Sequence, residues 1–354
     1  MMKRYRTALI GTGLSVPNHL KAVHHLEERI ELVAAVDLDE DRVRQVCAEN
    51  NIPRWFTSTA QMLDAVQPDL VQIITPPATH LPLIKACLNA GVWVFCEKPL
   101  CTSLAELDQI EQIEAAANAY VCTIFQWRSG SAAQHLRELM QQGALGKPLV
   151  AICNTLWYRP QAYYQLPWRS QWTAGGPTST LGIHLMDLLL WLWGDWEEVQ
   201  AAVGRLDRVM EVEDMSMAIV RFANGAMGSI TNSALSPRQE TYLRMDYQKA
   251  TVELTALYEY SNANWRYSFA EGEVPVWQPP ANDLPGAHTT ILKTLLDCMD
   301  QQAAPPTRAQ EARRSLEFVT ALYKSGLTRQ IVQRGTITPD DPFYHSLNGG
   351  QTLK

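Results

Sequence analysis

The residues best suited to bind a charged ligand stand near the start of the chain. Gly11-Thr12-Gly13 follows a short apolar run, Thr7–Ile10, and precedes a predicted helix. Glycines let a backbone turn approach a pyrophosphate closely, and the unpaired N–H groups of the helix N-terminus then bind its oxygens. Asp37 lies 24 residues after Gly13, at the end of the next predicted strand, where a carboxylate can accept hydrogen bonds from a ribose 2′-hydroxyl. These residues predict a dinucleotide site that prefers NAD to NADP, because Asp37 would repel a 2′-phosphate.

This glycine pattern departs from the usual dinucleotide fingerprint at one position. Val16 stands where a third glycine is expected, and a β-branched side chain there must loosen or reshape the contact between strand and helix. A tight strand–helix turn followed by a solvated aspartate would explain the same residues. The spacing between Gly13 and Asp37 favours the dinucleotide site.

A lysine follows another predicted strand. Glu97-Lys98-Pro99 comes directly after Val92–Cys96. In a doubly wound sheet, ligands bind beyond the carboxyl ends of the strands, so Lys98 is expected to face a ligand. On its own, a lysine after a strand is more often a solvated surface residue.

The first part of the chain must fold so that these residues share one edge of a sheet. From Thr7 to about Gln142, short apolar runs alternate with amphipathic segments, which is typical of a parallel sheet covered by helices on both faces. The predicted strands are Thr7–Ile10, Leu32–Val36, Leu70–Thr75, Val92–Cys96 and Val121–Phe125, with helices over 20–28, 39–50, 78–90 and 103–118. This pattern predicts an α/β domain with a doubly wound parallel sheet, the Rossmann architecture.

A change of pattern near residue 147 predicts a second domain. Gly143 and Gly146 followed by Pro148 are typical of the end of a helix. Alternating strands are then predicted over 149–157, 198–207, 214–223, 226–234, 240–247 and 250–257, with a hairpin at Asn224-Gly225 and helices over 181–193, 288–301 and 308–333. We predict a dinucleotide-binding domain over 1–147 and an α+β domain with a mostly antiparallel sheet over 148–354. The second domain would serve substrate binding and oligomerisation, and its last helices are candidates to pack back on the first.

The composition excludes several classes of protein. The 354 residues suffice for two domains with substantial cores, and a net charge of −7 without any cluster of lysine and arginine argues against nucleic acid as a partner. No apolar run approaches the roughly 20 residues that a bilayer crossing needs, so no membrane association is expected. The seven cysteines are scattered without paired metal-ligand spacing, which favours a reducing cytoplasm and no metal site.

Three motifs resemble those of one enzyme family. Thr75-Pro76-Pro77-Ala78-Thr79-His80 resembles a TP-x-x-x-H stretch, Ala90 to Pro99 resembles an AG-x-x-V run into an EKP triplet, and Gly175 to Asp187 is similar to a GG-x(4)-D-x-G-x-H-x-x-D helix. In this order and at these separations they resemble the Gfo/Idh/MocA family of glucose-fructose oxidoreductases and inositol dehydrogenases. The resemblance covers nearly the whole chain. It implies an NAD-dependent dehydrogenase or reductase that acts on CH–OH groups of a small, carbohydrate-like substrate.

The resemblance implies roles for two residues. Lys98 would lie beside the nicotinamide and the reacting carbon, and His184 would exchange a proton with the substrate hydroxyl. Oxidation of an alcohol needs a group that takes the hydroxyl proton while hydride leaves the carbon. An imidazole titrates near neutrality, and an ammonium stabilises the developing alkoxide. We therefore expect the Lys98 ammonium and the His184 imidazole to converge on a bound dinucleotide.

Helical spacing places two further side chains near His184. Asp187 follows three residues later and could orient the ring or bind a substrate hydroxyl. Thr180 precedes it by four residues, where many family members carry an aspartate. A threonine can hydrogen-bond but cannot hold a charge, which argues against a proton relay of the inositol dehydrogenase kind.

Aromatic and polar residues complete the predicted site. The segment from Trp157 to Trp172 is rich in rings, which stack on the C–H faces of sugars, and in arginine, which pairs with carboxylate or phosphate. The predicted cofactor contacts are Gly11, Gly13, Leu14, Asp37, Thr75, Pro76, His80, Glu97, Lys98, Gln126, Trp168 and Arg169, and the predicted substrate contacts are Lys98, Tyr158, Trp168, Arg169, Thr180, His184 and Asp187. The other histidines, including His19 and His288, have no evident partners, and we expect surface or packing roles for them.

Two other functions fit the same residues. A glycosidase that retains NAD and works through a 3-keto sugar uses the same first hydride transfer. A sensor that binds NAD and sugar without turnover would explain Thr180, whereas Lys98 and His184 argue against it. Because relatives commonly associate through the open face of the second sheet, a homodimer or homotetramer is expected.

Overall fold

The computed structural model describes residues 3–353, which form two compact units. The first unit comprises the chain up to Cys101, Glu106–Ile124 and His288–Ala312, and the second comprises Thr102–Ala105, Phe125–Ala287 and the chain from Arg313 onward. Residues 125–147, which the sequence analysis assigns to the first domain, therefore group with the second unit.

Strands and helices alternate in the chain before residue 125. The elements are β1 (Tyr5–Ile10), α1 (Val16–His25), β2 (Ile30–Val36), α2 (Glu40–Glu49), β3 (Trp55–Phe56), α3 (Thr59–Val66), β4 (Leu70–Ile73), α4 (His80–Asn89), β5 (Trp93–Cys96), α5 (Leu104–Ala116) and β6 (Val121–Thr123). All five strands predicted from apolar runs are present, and the predicted helices correspond to α1, α2, α4 and α5. Strand β3 and helix α3 were not predicted.

The strands before residue 125 form one parallel sheet in the order β3-β2-β1-β4-β5-β6. The strand order reverses between β1 and β4, and in open sheets of this kind ligands bind beyond the carboxyl ends of the strands at that point. The segments that follow β1, β2, β4 and β5 lie along this edge. The predicted Rossmann sheet is confirmed.

The core of the first unit explains how the chain tolerates its departure from the glycine pattern. Val16, the first residue of α1, is 3% exposed and packs in a cluster that includes Leu9 and Ala35. Its side chain therefore contributes apolar burial where a glycine would contribute none. At the start of α2, the Asp39 carboxylate accepts the Arg42 backbone N–H at 3.1 Å and so caps the helix.

The second half of the chain is dominated by strands. Residues 125–287 form α6 (Ser131–Gln141), β7 (Pro148–Tyr158), α7 (Pro167–Ser170), α8 (Ile183–Trp193), β8 (Trp196–Gly204), β9 (Met215–Phe222), β10 (Met227–Ser233), β11 (Leu235–Tyr247), β12 (Ala250–Ala256) and β13 (Trp265–Phe269). Residues 288–353 form α9 (His288–Gln301), α10 (Ala309–Thr328), β14 (Val332–Gln333) and α11 (Pro342–His345).

The second sheet has the strand order β13-β12-β11-β7-β10-β9-β8-β14. Its neighbours are antiparallel except for β7 and β10, which run parallel, so the predicted mostly antiparallel sheet is confirmed. The predicted hairpin joins β9 to β10, and Gly225 adopts a φ of +87° there, which favours glycine. Helix α8 packs against β7 and β11. No helix within residues 3–353 is long and apolar enough to cross a bilayer.

Candidate functional site

The glycine turn after β1 leaves room for a ligand. Gly11 has a φ of +95°, and a Cβ there would come within 2.9 Å of the Ile74 carbonyl carbon, so only glycine fits. A Cβ on Gly13 would meet no atom within 4 Å, and the Leu14 side chain is 74% exposed. Ser15, the N-cap of α1, makes no capping bond with its side chain. A turn of this kind can take the pyrophosphate of a dinucleotide, because the first N–H groups of a helix have no partner within the helix.

Asp37 is tied to the glycine turn by its own hydrogen bonds. Its Oδ2 accepts the backbone N–H and the hydroxyl of Thr12, both at 2.7 Å, and its Oδ1 accepts the Arg42 guanidinium at 2.7 Å. Burial acts to raise the pKa of this carboxyl, but the bonds from Arg42, Asp39 and Thr12 outweigh burial and hold the pKa below its ordinary value. Asp37 is therefore a fixed negative charge. Arg42 was not predicted as a site residue, although its position in the first turn of α2, just after Asp37, could have indicated it.

Lys98 follows β5 at the same edge of the sheet as the glycine turn and Asp37. It is half-buried, its backbone N–H donates to Glu97 Oε2 at 3.2 Å, and its peptide bond to Pro99 is cis. Glu97 was predicted to contact the cofactor. Its Oε1 instead lies 3.3 Å from His19 Nε2 and 3.1 Å from His288 Nε2, so this carboxylate is committed inside the unit.

The Thr75-Pro76 segment follows β4, and its histidine has a structural role. His80 is fully buried, its Nε2 lies 2.9 Å from the Thr75 carbonyl oxygen, and its Nδ1 lies 3.1 Å from the Pro99 carbonyl oxygen. Both ring nitrogens lie against backbone carbonyl oxygens inside the unit, so the predicted ribose contact of His80 finds no support. Burial lowers the pKa of the ring. The side chains of Thr75 and Pro76 are half-buried, and their contact with the cofactor stays a prediction.

In the second unit, a glycine-rich turn leads into the helix that carries His184. Residues Thr178–Gly182 form one wider, π-helical turn before α8. A Cβ on Gly176 would collide with Glu213, and one on Gly182 would collide with Asn232, so close packing requires glycine at both positions. The Thr180 hydroxyl donates to the Gly176 carbonyl at 2.9 Å. The turn thus fixes the start of α8.

His184 and Asp187 have different surroundings although they share a helix. The half-buried His184 ring lies 6.4 Å from the Trp157 ring, centre to centre. Asp187 is 1% exposed and accepts the Arg128 guanidinium through both oxygens, with the Ser315 hydroxyl donating to Oδ1 at 2.6 Å. A buried carboxylate needs such a partner. The predicted substrate contact of Asp187 therefore finds no support, because Arg128 and Ser315 occupy its oxygens.

Arginine and aromatic side chains gather at the end of β7. The Arg159 guanidinium carbon lies 5.0 Å from the centre of the Trp157 ring, and that of Arg169 lies 3.9 Å from the centre of the Tyr163 ring. Arg169 also packs on Trp168 at 4.8 Å. Among residues 3–353, neither Arg159 nor Arg169 pairs with a carboxylate. We call these five residues the arginine–aromatic cluster. The nearby Tyr158 ring is half-exposed, and the Gln126 side chain is buried.

A second buried carboxyl group lies under the turn that precedes α8. Glu213 is fully buried, and its Oε1 accepts the Thr178 backbone N–H at 3.0 Å and the Tyr323 hydroxyl at 2.8 Å. Burial raises the pKa of Glu213 to about 7 and outweighs these bonds. Glu213 was not predicted as a site residue, because nothing in its local sequence indicates that it is buried.

The elevated pKa of Glu213 predicts a stability that falls as the pH rises. The unfolded chain releases the Glu213 proton near the ordinary pKa of 4.5, whereas the native chain holds it up to about pH 7. This group's contribution to the free energy of unfolding is therefore complete below pH 4.5 and decreases by about 3 kcal/mol up to pH 7. Glu213→Gln, which cannot titrate, should lack this decrease in urea denaturation at pH 4.5 and about pH 8. The exposed Glu271→Gln is the matched control, and equal pH dependence in both variants would contradict the prediction.

Comparison with known proteins places both units in one family. A family model described as an oxidoreductase family with an NAD-binding Rossmann fold matches residues 5–125. A second model, the GFO/IDH/MocA C-terminal domain, matches residues 133–255. Together the two models cover more than half of the chain.

Individual relatives agree with the family models. D-apiose dehydrogenase of Paraburkholderia graminis is 26% identical, over 99% of this chain and 95% of the relative. Myo-inositol 2-dehydrogenase of Thermotoga maritima is 28% identical, over 64% of this chain and 68% of the relative. The crystal structure of the WlbA dehydrogenase from Bordetella pertussis, in complex with NADH and UDP-GlcNAcA, has a TM-score of 0.83 and 27% identity, over 94% of this chain and 99% of that one. The resemblance found in the sequence is confirmed, and the chain belongs to the Gfo/Idh/MocA family of NAD-binding oxidoreductases.

Proposed function

We propose that this chain transfers a hydride between NAD and the hydroxyl-bearing carbon of a sugar, sugar acid, cyclitol or nucleotide sugar, with Lys98 and His184 assisting the proton transfer. Membership in the family makes the chain an NAD-dependent dehydrogenase or reductase that acts on CH–OH groups. When bound, the nicotinamide supplies the hydride acceptor for oxidation or the hydride donor for reduction. The residue roles and the substrate class are the proposed part.

One observation carries the proposal. The glycine turn, Asp37, Thr75 and Lys98 follow the carboxyl ends of four adjacent parallel strands, β1, β2, β4 and β5. The turn and Asp37 would hold the dinucleotide through its pyrophosphate and ribose, and Lys98 would place an ammonium at the same edge. An ammonium there stabilises the negative charge that develops on the substrate oxygen during oxidation.

His184 would accept the proton from the substrate hydroxyl. A neutral imidazole accepts a proton near neutral pH and returns it in the reverse reaction. The arginine–aromatic cluster supports a substrate site near this ring, because Trp157 belongs to the cluster and lies beside His184. Tyr158, Trp168 and Arg169 keep their predicted role as substrate contacts.

The arginine–aromatic cluster favours a substrate that carries an anionic group. Arg159 and Arg169 pack on aromatic rings without a carboxylate partner among residues 3–353, and such guanidinium groups suit a carboxylate or phosphate. The solved relative from Bordetella pertussis was crystallised with UDP-GlcNAcA. We therefore place sugar acids and nucleotide-sugar acids ahead of neutral sugars for this chain.

The test is an assay of purified protein with NAD and a substrate panel. The panel contains neutral sugars, cyclitols, sugar acids and nucleotide sugars, and NADH formation is followed by absorbance. We expect turnover with an acidic member. Cleavage of a nitrophenyl glycoside without net NADH would replace the proposal by a glycosidase. Binding of NAD and sugar without either reaction would replace it by a sensor.

The contact between Asp37 and Arg42 predicts how the preference for NAD can be changed. Asp37→Ser removes the charge that repels a 2′-phosphate and releases the Arg42 guanidinium to bind one. We expect kcat/KM for NADP to rise about 10- to 100-fold relative to that for NAD. Steady-state kinetics with both cofactors measures the ratio. The double variant with Arg42→Ala should lose the gain, and an unchanged ratio in Asp37→Ser would contradict the assignment.

We also propose that the chain forms a homodimer or homotetramer through the second sheet. Alternate residues of β9 are exposed on one face, with Met217 at 50% and Ile219 at 57%. Met227 on β10 and Val150 on β7 are exposed as well. An apolar sheet face of this kind is suited to association with a second copy.

A further inference from the structure

Two histidines from opposite ends of the chain hold one carboxylate next to Lys98. His19 lies in α1, His288 begins α9, and both rings contact Glu97 Oε1. We propose that His19 and His288 are positioning residues that fix Lys98 through Glu97 and couple it to the helix that follows the glycine turn. This inference rests on the proposed role of Lys98 in proton transfer.

The geometry is that of a compact and largely buried cluster, in which the Glu97 side chain is 14% exposed. The Nε2 atoms of His19 and His288 lie 3.3 Å and 3.1 Å from Glu97 Oε1, and the side chains of the two histidines are 0% and 9% exposed. His19 Nδ1 lies 2.6 Å from the terminal amide of Gln72, which limits rotation of the ring. The two imidazole rings meet edge to face, with their centres 5.2 Å apart. The cluster therefore has little freedom to rearrange.

The charge of Glu97 makes the two histidines necessary. Burial acts to raise the pKa of this carboxyl, but the bonds from His19 and His288 hold its pKa well below the ordinary range. A buried carboxylate without donors is costly, so each imidazole N–H stabilises the ionised form. Loss of either ring leaves the carboxylate short of a donor, and Glu97 is then expected to move or to bind a proton.

Glu97 transmits this constraint to Lys98 by two connections. The residues share a peptide bond, and the second carboxylate oxygen, Oε2, accepts the Lys98 backbone N–H at 3.2 Å. The carboxylate thus fixes the backbone of Lys98, from which the side chain extends. His19 adds a link to α1, whose N-terminus fits the pyrophosphate of NAD. The reaction rate depends strongly on the position of the ammonium, because a small misplacement of a catalytic group slows the chemical step.

A metal ion is the main competing explanation. The three side chains offer ligand atoms that all lie within 4.8 Å of one another, and two histidines with one carboxylate are a known zinc set. The distances of 3.1 Å and 3.3 Å between Oε1 and the two ring nitrogens also suit direct hydrogen bonds. We argue for direct contact, because these bonds account for the charge of Glu97 without any further group.

The experiment compares two substitutions of His288 with a control on the same helix. His288→Leu removes the donor to Glu97, and His288→Gln retains an N–H near the position of Nε2. Asp300→Asn weakens a different polar contact of α9, the pair between Arg29 and Asp300. With the substrate found in the panel, we expect His288→Leu to lower kcat about 10- to 100-fold at similar KM for NAD. His288→Gln should recover most of the loss, and Asp300→Asn should change only the thermal stability.

A double-mutant cycle decides whether the effect passes through Lys98. In a chain that already carries Lys98→Ala, His288→Leu should cause no further loss of kcat. Equal losses in both backgrounds, or no loss in His288→Leu, would overturn the inference. If Lys98→Ala itself keeps full activity, the proposed function is wrong at Lys98, and a loss in His288→Leu then contradicts this inference as well. If only Lys98→Ala loses activity, the proposed function stands and the positioning role fails.

A chemical measurement tests the same inference without substrate. The rate at which acetic anhydride acetylates Lys98, followed by peptide mass spectrometry, reports the accessibility and protonation of its amine. We expect severalfold faster acetylation in His288→Leu than in the native chain, His288→Gln or Asp300→Asn. Equal rates in all four would overturn the inference. One equivalent of zinc in the native chain, absent from His288→Leu, would overturn it in favour of a metal site.

Discussion

Lys98→Ala is expected to lower kcat for alcohol oxidation by about two to four orders of magnitude. The substrate oxygen becomes negatively charged as its proton leaves, and the Lys98 ammonium is the cation proposed to stabilise it. Lys98 is half-buried, so its charge is screened less by water than that of a surface lysine. Steady-state kinetics with the substrate from the panel gives kcat, and NADH fluorescence separates any loss of cofactor affinity from the loss in the chemical step.

The control for Lys98 is a lysine from the same unit that lies away from the strand ends. Lys85 is exposed in the middle of α4, and Lys85→Ala should leave kcat unchanged. Lys98→Arg keeps a positive charge but spreads it over a planar group, so a partial recovery is expected. Native kcat in Lys98→Ala would remove the ammonium from the mechanism.

The part of the fold that the sequence predicts well is the part in which local pattern and burial agree. Strands β1, β2, β4, β5 and β6 are apolar on both faces because helices cover the sheet on both sides. The same rule predicts the glycine turn, Asp37 and Lys98 at strand ends from the sequence alone. Local patterns failed where elements are short: β3 has two residues, and α3 spans only Thr59–Val66.

The partners of buried charges were the part that the sequence could not supply. Helical spacing put Asp187 next to His184, but the partner of Asp187 is Arg128, which reaches it from a different segment of the chain. His19 and His288 share the partner Glu97, which is distant from both in sequence, so no local pattern indicates either contact. A buried carboxylate must find a donor, yet sequence alone does not say which carboxylates are buried. Glu213, which is fully buried, and Glu97, of whose side chain 14% is exposed, are the two examples.

His184→Ala is the second substitution with a large expected effect, about two to four orders of magnitude in kcat. Without His184, the carboxylate on the same helix, Asp187, is not expected to accept the proton. Asp187 is engaged by Arg128 and Ser315, and Thr180 cannot hold a charge. In the native chain, kcat for oxidation should fall as the pH is lowered, because a protonated imidazole accepts no proton. The variant should lose this dependence, measured as a pH–rate profile.

Chemical rescue distinguishes a missing proton acceptor from a damaged site. Free imidazole added to His184→Ala should restore part of the activity, and more so at higher pH, where more of the added base is neutral. The exposed His345→Ala should match the native chain in kcat and should not respond to imidazole. If His184→Ala kept the native pH profile, the proton would have another acceptor in this chain. With Asp187 bound to Arg128, that acceptor would have to come from outside α8, and the arginine–aromatic cluster would remain as a substrate site without a base beside it.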